Sequence, residues 1–312
     1  MKLIIQIPAY NEEQTLPLTL SKLPKEIDGI ETIETLIIDD GSNDNTIEVA
    51  RKCGVTHIVS TKMNKGLAKA FKLGLDTCLK KGADIIVNTD ADNQYNADDI
   101  KLLVDPIIKN TADIVIGERP ILEIKHFSIF KKILQKLGSL MVRKISNTEI
   151  QDAPSGFRAF SREAALSLNI FSSYTYTLET IIQAGKKGIA IKSIPIRINK
   201  DERPSKLVKS NYAYIKKSII TMIRIFNTYR PLSFFLILGT IPLIIGISLG
   251  VRWIILFLGS GTARSIPSLI LSAICIIIGT QLFIFGLIAD LISTNRQLLE
   301  DIQKKVREVY YK

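Results

Sequence analysis

Two stretches of this chain carry no charged side chain: "PLSFFLILGTIPLIIGISLGV" (231–251) and "SIPSLILSAICIIIGTQLFIFGLIA" (265–289). Each is as long as the roughly twenty apolar residues that cross a bilayer as a helix. A helix in the core of a soluble protein rarely stays charge-free for so long. Two membrane spans are therefore expected, and charge sets their direction. Lys216, Lys217, Arg224 and Arg230 precede the first span, and Arg296, Lys304, Lys305 and Arg307 follow the second. The connection between them holds only Arg252 and Arg264, and Arg252 fits either the loop or a snorkelling position in a tilted span. The positive-inside rule then places both ends in the cytoplasm. The segment 210–230 mixes aromatic, apolar and basic residues at helical spacing, as an interfacial helix among lipid headgroups does.

Residues 1 to about 200 have another grammar. Short Ile- and Val-rich runs, "LIIQIP" (3–8), "ETLIID" (34–39), "HIVS" (57–60), "DIIVNT" (84–89) and "DIVIG" (113–117), read as strands. Helices are expected at 12–22, 44–52, 65–81 and 97–109, with Asp44 or Asn43 capping the second and Asn96 the fourth. The opening "MKLIIQIPAY" reads as a first strand rather than a targeting segment. Strand–helix alternation implies a mostly parallel sheet with helices on both faces. Ligands bind such sheets beyond the carboxyl ends of the strands. The polar clusters sit there: "PAYNEE", "DDGSND", "DADNQ" and "GER" follow the first, second, fourth and fifth strands.

Composition narrows the chemistry. The net charge of +11 suits a membrane surface or a phosphate-rich substrate, and no nucleic-acid-binding motif accompanies it. Three separated cysteines exclude a disulfide framework and a thiolate cluster, and two histidines exclude a His-rich metal site.

The densest oxygen cluster is "NTDADNQY" (88–95). In an extended chain Asp90 and Asp92 share a face, and two close carboxylates repel unless a cation sits nearby. Gln94 adds a neutral oxygen on the same side. An all-oxygen site with few protein ligands suits Mg²⁺ or Mn²⁺, with phosphates completing the shell. Asp39 and Asp40, before Gly41, suit hydrogen bonds to a ribose or a base. The glycine of "NKGLAKA" (64–70) permits close approach to a ligand. Arg119 of "GER" suits a diphosphate.

Together, "PAYNEE", "DDGSNDNT", "NKG" and "DADNQY" resemble the family-two glycosyltransferases of GT-A fold, in order and approximate spacing. "QDAPSGFRAFSRE" (151–163) and the two spans resemble the polyprenyl-phosphate branch, which includes the dolichyl-phosphate mannose synthases. The resemblance implies a GT-A catalytic domain over 1–205, with a Rossmann-like, mostly parallel sheet. A juxtamembrane amphipathic segment (206–230), two transmembrane helices (231–292) and a cytoplasmic tail (293–312) follow. It implies that Pro8, Tyr10 and Glu12 line the nucleotide pocket, that Asp39 contacts the base, and that Asp90 contacts the ribose or sugar. Asp92 and Gln94 would hold Mg²⁺ or Mn²⁺ on the donor diphosphate, with Arg119 near the phosphates. Asp152 and Arg158 would lie on the acceptor side, Asp152 as a base or as the group that orients Arg158. Arg203 and Lys206 of "RPSK" resemble a basic loop that closes over phosphate, although Pro204 stands where many relatives have glycine.

The implied reaction is inverting transfer of a sugar from a nucleotide donor to a polyprenyl phosphate, undecaprenyl or dolichyl, at the cytoplasmic face. Self-association through the membrane segments is also implied. A transferase extending a polysaccharide or lipid-linked glycan is the alternative, and a silent scaffold subunit a further one.

Overall fold

The computed structural model describes residues 1–120, 129–170, 176–199, 211–260 and 266–311, so Arg203 and Lys206 lie outside the described residues. The chain forms two units: Met1–Ile219 with Glu300–Lys312, and Ile220–Leu299.

The first unit is built on a seven-stranded sheet of order β3-β2-β1-β4-β6-β5-β7. Its strands are β1 (Lys2–Ala9), β2 (Thr32–Asp39), β3 (His57–Ser60), β4 (Ile85–Asn88), β5 (Ile114–Glu118), β6 (Arg158–Ser161) and β7 (Ile191–Pro195). Only β6 runs antiparallel to its neighbours, β4 and β5. The chain winds one way from β1 to β3 and then crosses to the other side of β1 for β4. The crevice between the carboxyl ends of β1 and β4 is therefore a topological switch point, where open α/β sheets take their ligands.

Pro8 sits inside the central strand β1, a position that normally excludes proline. Local geometry explains it. The Gln6 carbonyl faces β4, where it accepts from the Thr89 N–H (3.1 Å), and the Ala9 carbonyl faces β2, where it accepts from the Asp40 N–H (2.9 Å). Sides alternate along a strand, so Pro8 faces the β4 side, past the last β1–β4 pair, Gln6↔Asn88. The missing donor costs no ladder bond.

Helix α3 (Leu67–Lys80) buries Ala68, Phe71, Leu75, Cys78 and Leu79 along one side. The other helices of the unit are α1 (Leu16–Ser21), α2 (Thr46–Lys52), α4 (Ile100–Ile108), α5 (Ile129–Ser146), α6 (Arg162–Ser167) and α7 (Thr177–Lys186). The first helix begins at Leu16, not at residue 12, because the residues before it bond to the loop after β2. Asn11 adopts φ 55°. Its N–H donates to Ser42 Oγ (2.9 Å), the Asn43 N–H donates to Asn11 Oδ1 (2.8 Å), and the Glu12 N–H donates to Thr46 Oγ1 (2.9 Å). Asn96 caps as expected, accepting from the Asp98 N–H (3.0 Å), at a 3₁₀ turn (Ala97–Asp99) that leads into α4.

The second unit contains α9 (Pro231–Ser260), most of α10 (Ile266–Tyr310) and the end of α8 (Asn211–Tyr229). Both α9 and α10 are long and apolar enough to cross a membrane, and only 11% and 17% of their most apolar windows are buried. That exposure disfavours a core helix of a soluble protein. Arg252 belongs to α9, which continues past it to Ser260. The two helices meet through small residues: Ser272 Oγ donates to the Gly246 carbonyl (2.6 Å), and a Cβ at Gly239 would stand 3.0 Å from the Gly279 carbonyl.

The last residues of α10 belong to the first unit. Arg307, 8% exposed, donates to the Leu168 carbonyl (2.6 Å) and to Asp76 Oδ1 (3.0 Å). Lys187 pairs with the buried Glu300 (3.2 Å), and Arg162 donates to the Tyr311 carbonyl (2.7 Å). Of the residues expected as a tail, 293–299 belong to the second unit, while Glu300–Lys312 are thus part of the first unit's packing. Arg307→Ala is expected to cost that unit about 2–3 kcal/mol, the worth of hydrogen bonds to a charged group. A urea midpoint followed by circular dichroism measures this. A midpoint equal to that of the unsubstituted chain would mean that the segment contributes nothing to stability.

Candidate active site

The residues around the crevice fall into a rim and a support behind it. On the rim, β4 delivers Asp90 and Asp92. The antiparallel register Asn88↔Arg158, continued by two residues, sets Asp90 opposite Gly156. A Cβ on Gly156 would lie 3.3 and 3.4 Å from the Asp90 carboxylate oxygens and 3.2 Å from the Tyr176 hydroxyl. The glycine of "PSGFR" thus sits in tight contact with the acidic loop, and a side chain there would press on Asp90 and Tyr176.

Tyr95, buried and stacked on Phe157 (centroids 4.9 Å apart), hydrogen-bonds Asp90 through its side chain and accepts from the Gly156 N–H (3.2 Å). Burial pushes Asp90 up to about 7, and the neighbouring charge of Asp92 adds to it. Arg119 and the Tyr95 bond pull the other way, and Glu12 is near enough to raise it further. Glu12, Asp90, Asp92, Arg119 and Tyr95 therefore form one electrostatic cluster. Burial also pushes the Tyr95 phenol upward, so it stays protonated.

Asp92 accepts from the Gln94 N–H (3.2 Å), a short turn that places the two side by side on the rim. Asp39 ends β2 one strand beyond β1, opposite Ala9, and accepts from the Ser42 N–H (3.1 Å). Tyr10 follows β1 and is 39% exposed, while Pro8 is buried in the strand. Glu12 is half-buried and accepts from Thr15 Oγ1 (2.7 Å). Asp40 turns away from the crevice: it accepts from the N–H groups of Lys65 (2.9 Å) and Gly66 (2.7 Å) and braces the loop after β3.

Across the crevice, Arg119 follows β5. Its Nε and Nη2 donate to Asp152 Oδ2 (2.7 Å) and Oδ1 (2.9 Å), and its backbone N–H to Oδ2 (3.2 Å). Asp152 is fully buried, and Arg119 is 9% exposed. Burial works against the charge on Arg119, but the carboxylates of Asp152, which also hydrogen-bonds it, and Asp90 hold the guanidinium above its ordinary value.

Arg158 is not on the rim. It has no exposed surface, and its guanidinium donates to the carbonyls of Ala153 (2.7 Å), Ser155 (2.8 Å) and Thr177 (2.8 Å) and to Thr180 Oγ1 (2.6 Å). Burial lowers it to about 10, still charged at neutral pH. Asp152, expected as a base or as the group that orients Arg158, is hydrogen-bonded to Arg119. Arg158 shapes the 153–157 loop from behind.

Beside it, Asn88 accepts from Gln6 Nε2 (3.0 Å) and donates to the Gly156 carbonyl (2.8 Å) and the Tyr176 hydroxyl (2.9 Å). Tyr176 stacks on Phe71 with centroids 3.7 Å apart. Sequence reading passed over Tyr95, Gly156, Asn88 and Tyr176 as separate contributors. The only sequence signal for the first three is their place inside the quoted motifs.

Residues 4–168 match the glycosyl transferase family 2 profile, slightly more than half of the chain. The chain belongs to glycosyl transferase family 2. It is 32% identical to the UDP-N-acetylglucosamine–dolichyl-phosphate N-acetylglucosaminyltransferase of Methanococcus voltae, over 61% of this chain and 83% of that protein. It is 28% identical to the undecaprenyl-phosphate mannosyltransferase of Micrococcus luteus, over 63% and 83%. The glucosyl-3-phosphoglycerate synthase of Mycobacterium tuberculosis, solved with Mn²⁺, uridine diphosphate and glucosyl-3-phosphoglycerate, shares the fold. Its TM-score is 0.53 at 20% identity, covering 71% of this chain and 79% of that one. Family membership makes the protein a glycosyltransferase of GT-A type, with two apolar C-terminal helices attached.

The donor set at 90–94 fits a divalent cation. Two carboxylates close enough that one raises the other leave a negative centre that a cation would relieve. Among the described residues no group of three or more acidic, His or Cys side chains converges. A hard cation there would draw the rest of its shell from donor phosphates and water, as Mg²⁺ and Mn²⁺ do.

Proposed function

We propose that this family 2 enzyme moves a sugar from a nucleotide donor to a polyprenyl phosphate at the inner face of a membrane. The observation that carries the reading is the pairing of Asp90 and Asp92, at the switch-point crevice, with Gly156 of the following loop directly opposite. Two further features support it: helices long enough to span a bilayer, and relatives named as polyprenyl-phosphate sugar transferases. The chain leaves the catalytic unit at Ile219 and returns to it at Glu300. An even number of crossings, with both termini on the side of the catalytic unit, accords with that route. The excess of Lys and Arg at both ends makes that side cytoplasmic.

In this reading Asp92 and Gln94 would hold a divalent cation beside the donor diphosphate, and such a cation would supply Lewis-acid stabilisation of the leaving charge. Asp39, Tyr10 and Glu12 bind the nucleoside along β1 and β2, Pro8 shapes the floor beneath them, and Asp90 faces the ribose or sugar. An oxygen of the lipid phosphate attacks the anomeric carbon from the face opposite the diphosphate. The C–O bond to the diphosphate breaks, its electron pair stays on the departing oxygen, and the configuration inverts. Arg119 sets a fixed positive charge where that negative charge grows.

No strong base is required, because a phosphate monoester with a second pKa of about 6 is already mostly dianionic at neutral pH. Asp152 is committed to Arg119 through three hydrogen bonds, which makes it a positioning residue. Arg158 acts likewise, by holding the loop that carries Gly156. Arg203 and Lys206 remain candidates for the acceptor phosphate on sequence grounds.

The test is a panel of radiolabelled nucleotide sugars incubated with membranes containing the protein, Mg²⁺ or Mn²⁺, and undecaprenyl or dolichyl phosphate. Label in the organic phase, with one donor and one lipid preferred, is the expected result. Label confined to polymer would favour the glycan-extending alternative, and none anywhere would sink the proposal.

A further inference from the structure

A short segment after β7 lies against the acidic loop from outside the motif. Ile198 bridges Tyr95, and the Asn96 N–H donates to the Arg197 carbonyl (3.3 Å). Asn199 makes the densest contacts. Its backbone N–H donates to the Gln94 carbonyl (2.9 Å). Its side-chain Nδ2 donates to the Asn93 carbonyl (2.8 Å), Asn93 Oδ1 (3.3 Å) and the Tyr95 carbonyl (3.1 Å). One residue therefore receives three successive carbonyls, 93, 94 and 95.

Asn93 sits at φ 56°, a left-handed conformation that needs local hydrogen bonds to persist in a non-glycine residue. That kink divides Asp92 from Gln94. Arg197 anchors the same segment, donating from its backbone N–H and its guanidinium to the buried Asp99 (2.6, 3.0 and 2.6 Å).

We infer that Asn199 is a positioning residue for the reaction. Its carboxamide holds the Asn93 kink so that Asp92 and Gln94 present their oxygens to one point. This rests on the cation reading of the preceding section. Groups that orient metal ligands from behind typically change metal affinity 10- to 100-fold when removed.

The experiment titrates Mn²⁺ alone onto the full-length protein in detergent micelles, with free Mn²⁺ read by electron paramagnetic resonance. Hydrogen exchange of the 93–96 amides is followed without metal. Asn199→Ala is expected to weaken Mn²⁺ binding at least about tenfold and to speed exchange at those amides, with the thermal transition nearly unmoved. Asn199→Asp keeps the size but faces the three oxygens with an acceptor. It should weaken binding similarly, and it keeps the test open if the alanine variant does not fold. Asn199→Gln, which retains the carboxamide, should recover part of the affinity. A merely structural role would shift the transition and leave Mn²⁺ affinity alone. If the unsubstituted chain binds Mn²⁺ and both the Ala and Asp variants bind it within twofold, Asn199 has no such role. If the unsubstituted chain binds none, it is the cation reading that fails first, and the role of Asn199 falls with it.

Discussion

Asp92→Ala is expected to slow sugar transfer by about a thousandfold, equivalent to about 4 kcal/mol of transition-state stabilisation. The size follows from what is lost. Asp92 is one of the two protein side chains assigned to the cation, and the leaving diphosphate gathers charge as the glycosidic bond lengthens. Little stability should go with it. Asp92 is half-buried, and its bond to the Gln94 N–H is a local turn, worth about 1 kcal/mol net. Removing Asp92 also removes one of the two leading causes that raise Asp90, so that group should titrate closer to an ordinary carboxyl. Transfer is measured as lipid-extractable label at saturating Mn²⁺, alongside a circular-dichroism melt. Activity within tenfold of the unsubstituted enzyme would remove Asp92 from the cation site.

Asp152→Ala should be the most damaging single change to the fold. It strands the Arg119 charge at 9% exposure without its bidentate partner. Breaking one side of a buried pair typically costs about 3–5 kcal/mol. Adding Arg119→Met to Asp152→Ala should restore much of the stability and none of the activity, since the pair itself stabilises little relative to apolar packing. Asp152→Asn separates the two chemical roles. If Asp152 positions Arg119, the asparagine still offers one acceptor oxygen and transfer falls only about tenfold. If Asp152 removes a proton, Asp152→Asn leaves stability near normal while transfer collapses and its pH profile flattens. That second outcome would overturn the assignment made here.

The five strands read from apolar runs all appear, within two residues of their expected ends; β1, β2, β4 and β5 bury an Ile- or Val-rich run, and β3, at the sheet edge, is partly buried. β6 and β7 escaped. β6 is four residues long and begins with an arginine, so it breaks the apolar pattern that announces a strand. It can be one only because carbonyls and a hydroxyl meet that guanidinium in the core. β7 is half-exposed at the sheet edge and carries a lysine.

The site divides in the same way. Asp90, Asp92 and Arg119 were legible because they follow recognisable strands. Asp40 looked equivalent to Asp39, and only tertiary contacts with the 61–66 loop tell the two apart. Asp152 lies six residues from Arg158, but its partner is Arg119, thirty-three residues earlier, which no local pattern announces. Asn199 contacts residues about a hundred positions earlier and belongs to no motif, so no local pattern points to it.

The antiparallel pairing of β4 and β6 has a consequence for how such an enzyme diversifies. At position 156 an added Cβ would press at 3.2 to 3.4 Å on a phenol on one flank and a carboxylate on the other. A side chain added at that junction would have to push aside the carboxylate or the phenol that the site itself uses. Changes of substrate have to be accommodated farther out along the rim, where side chains such as Tyr10 already face solvent, while the seam in the middle stays the same size.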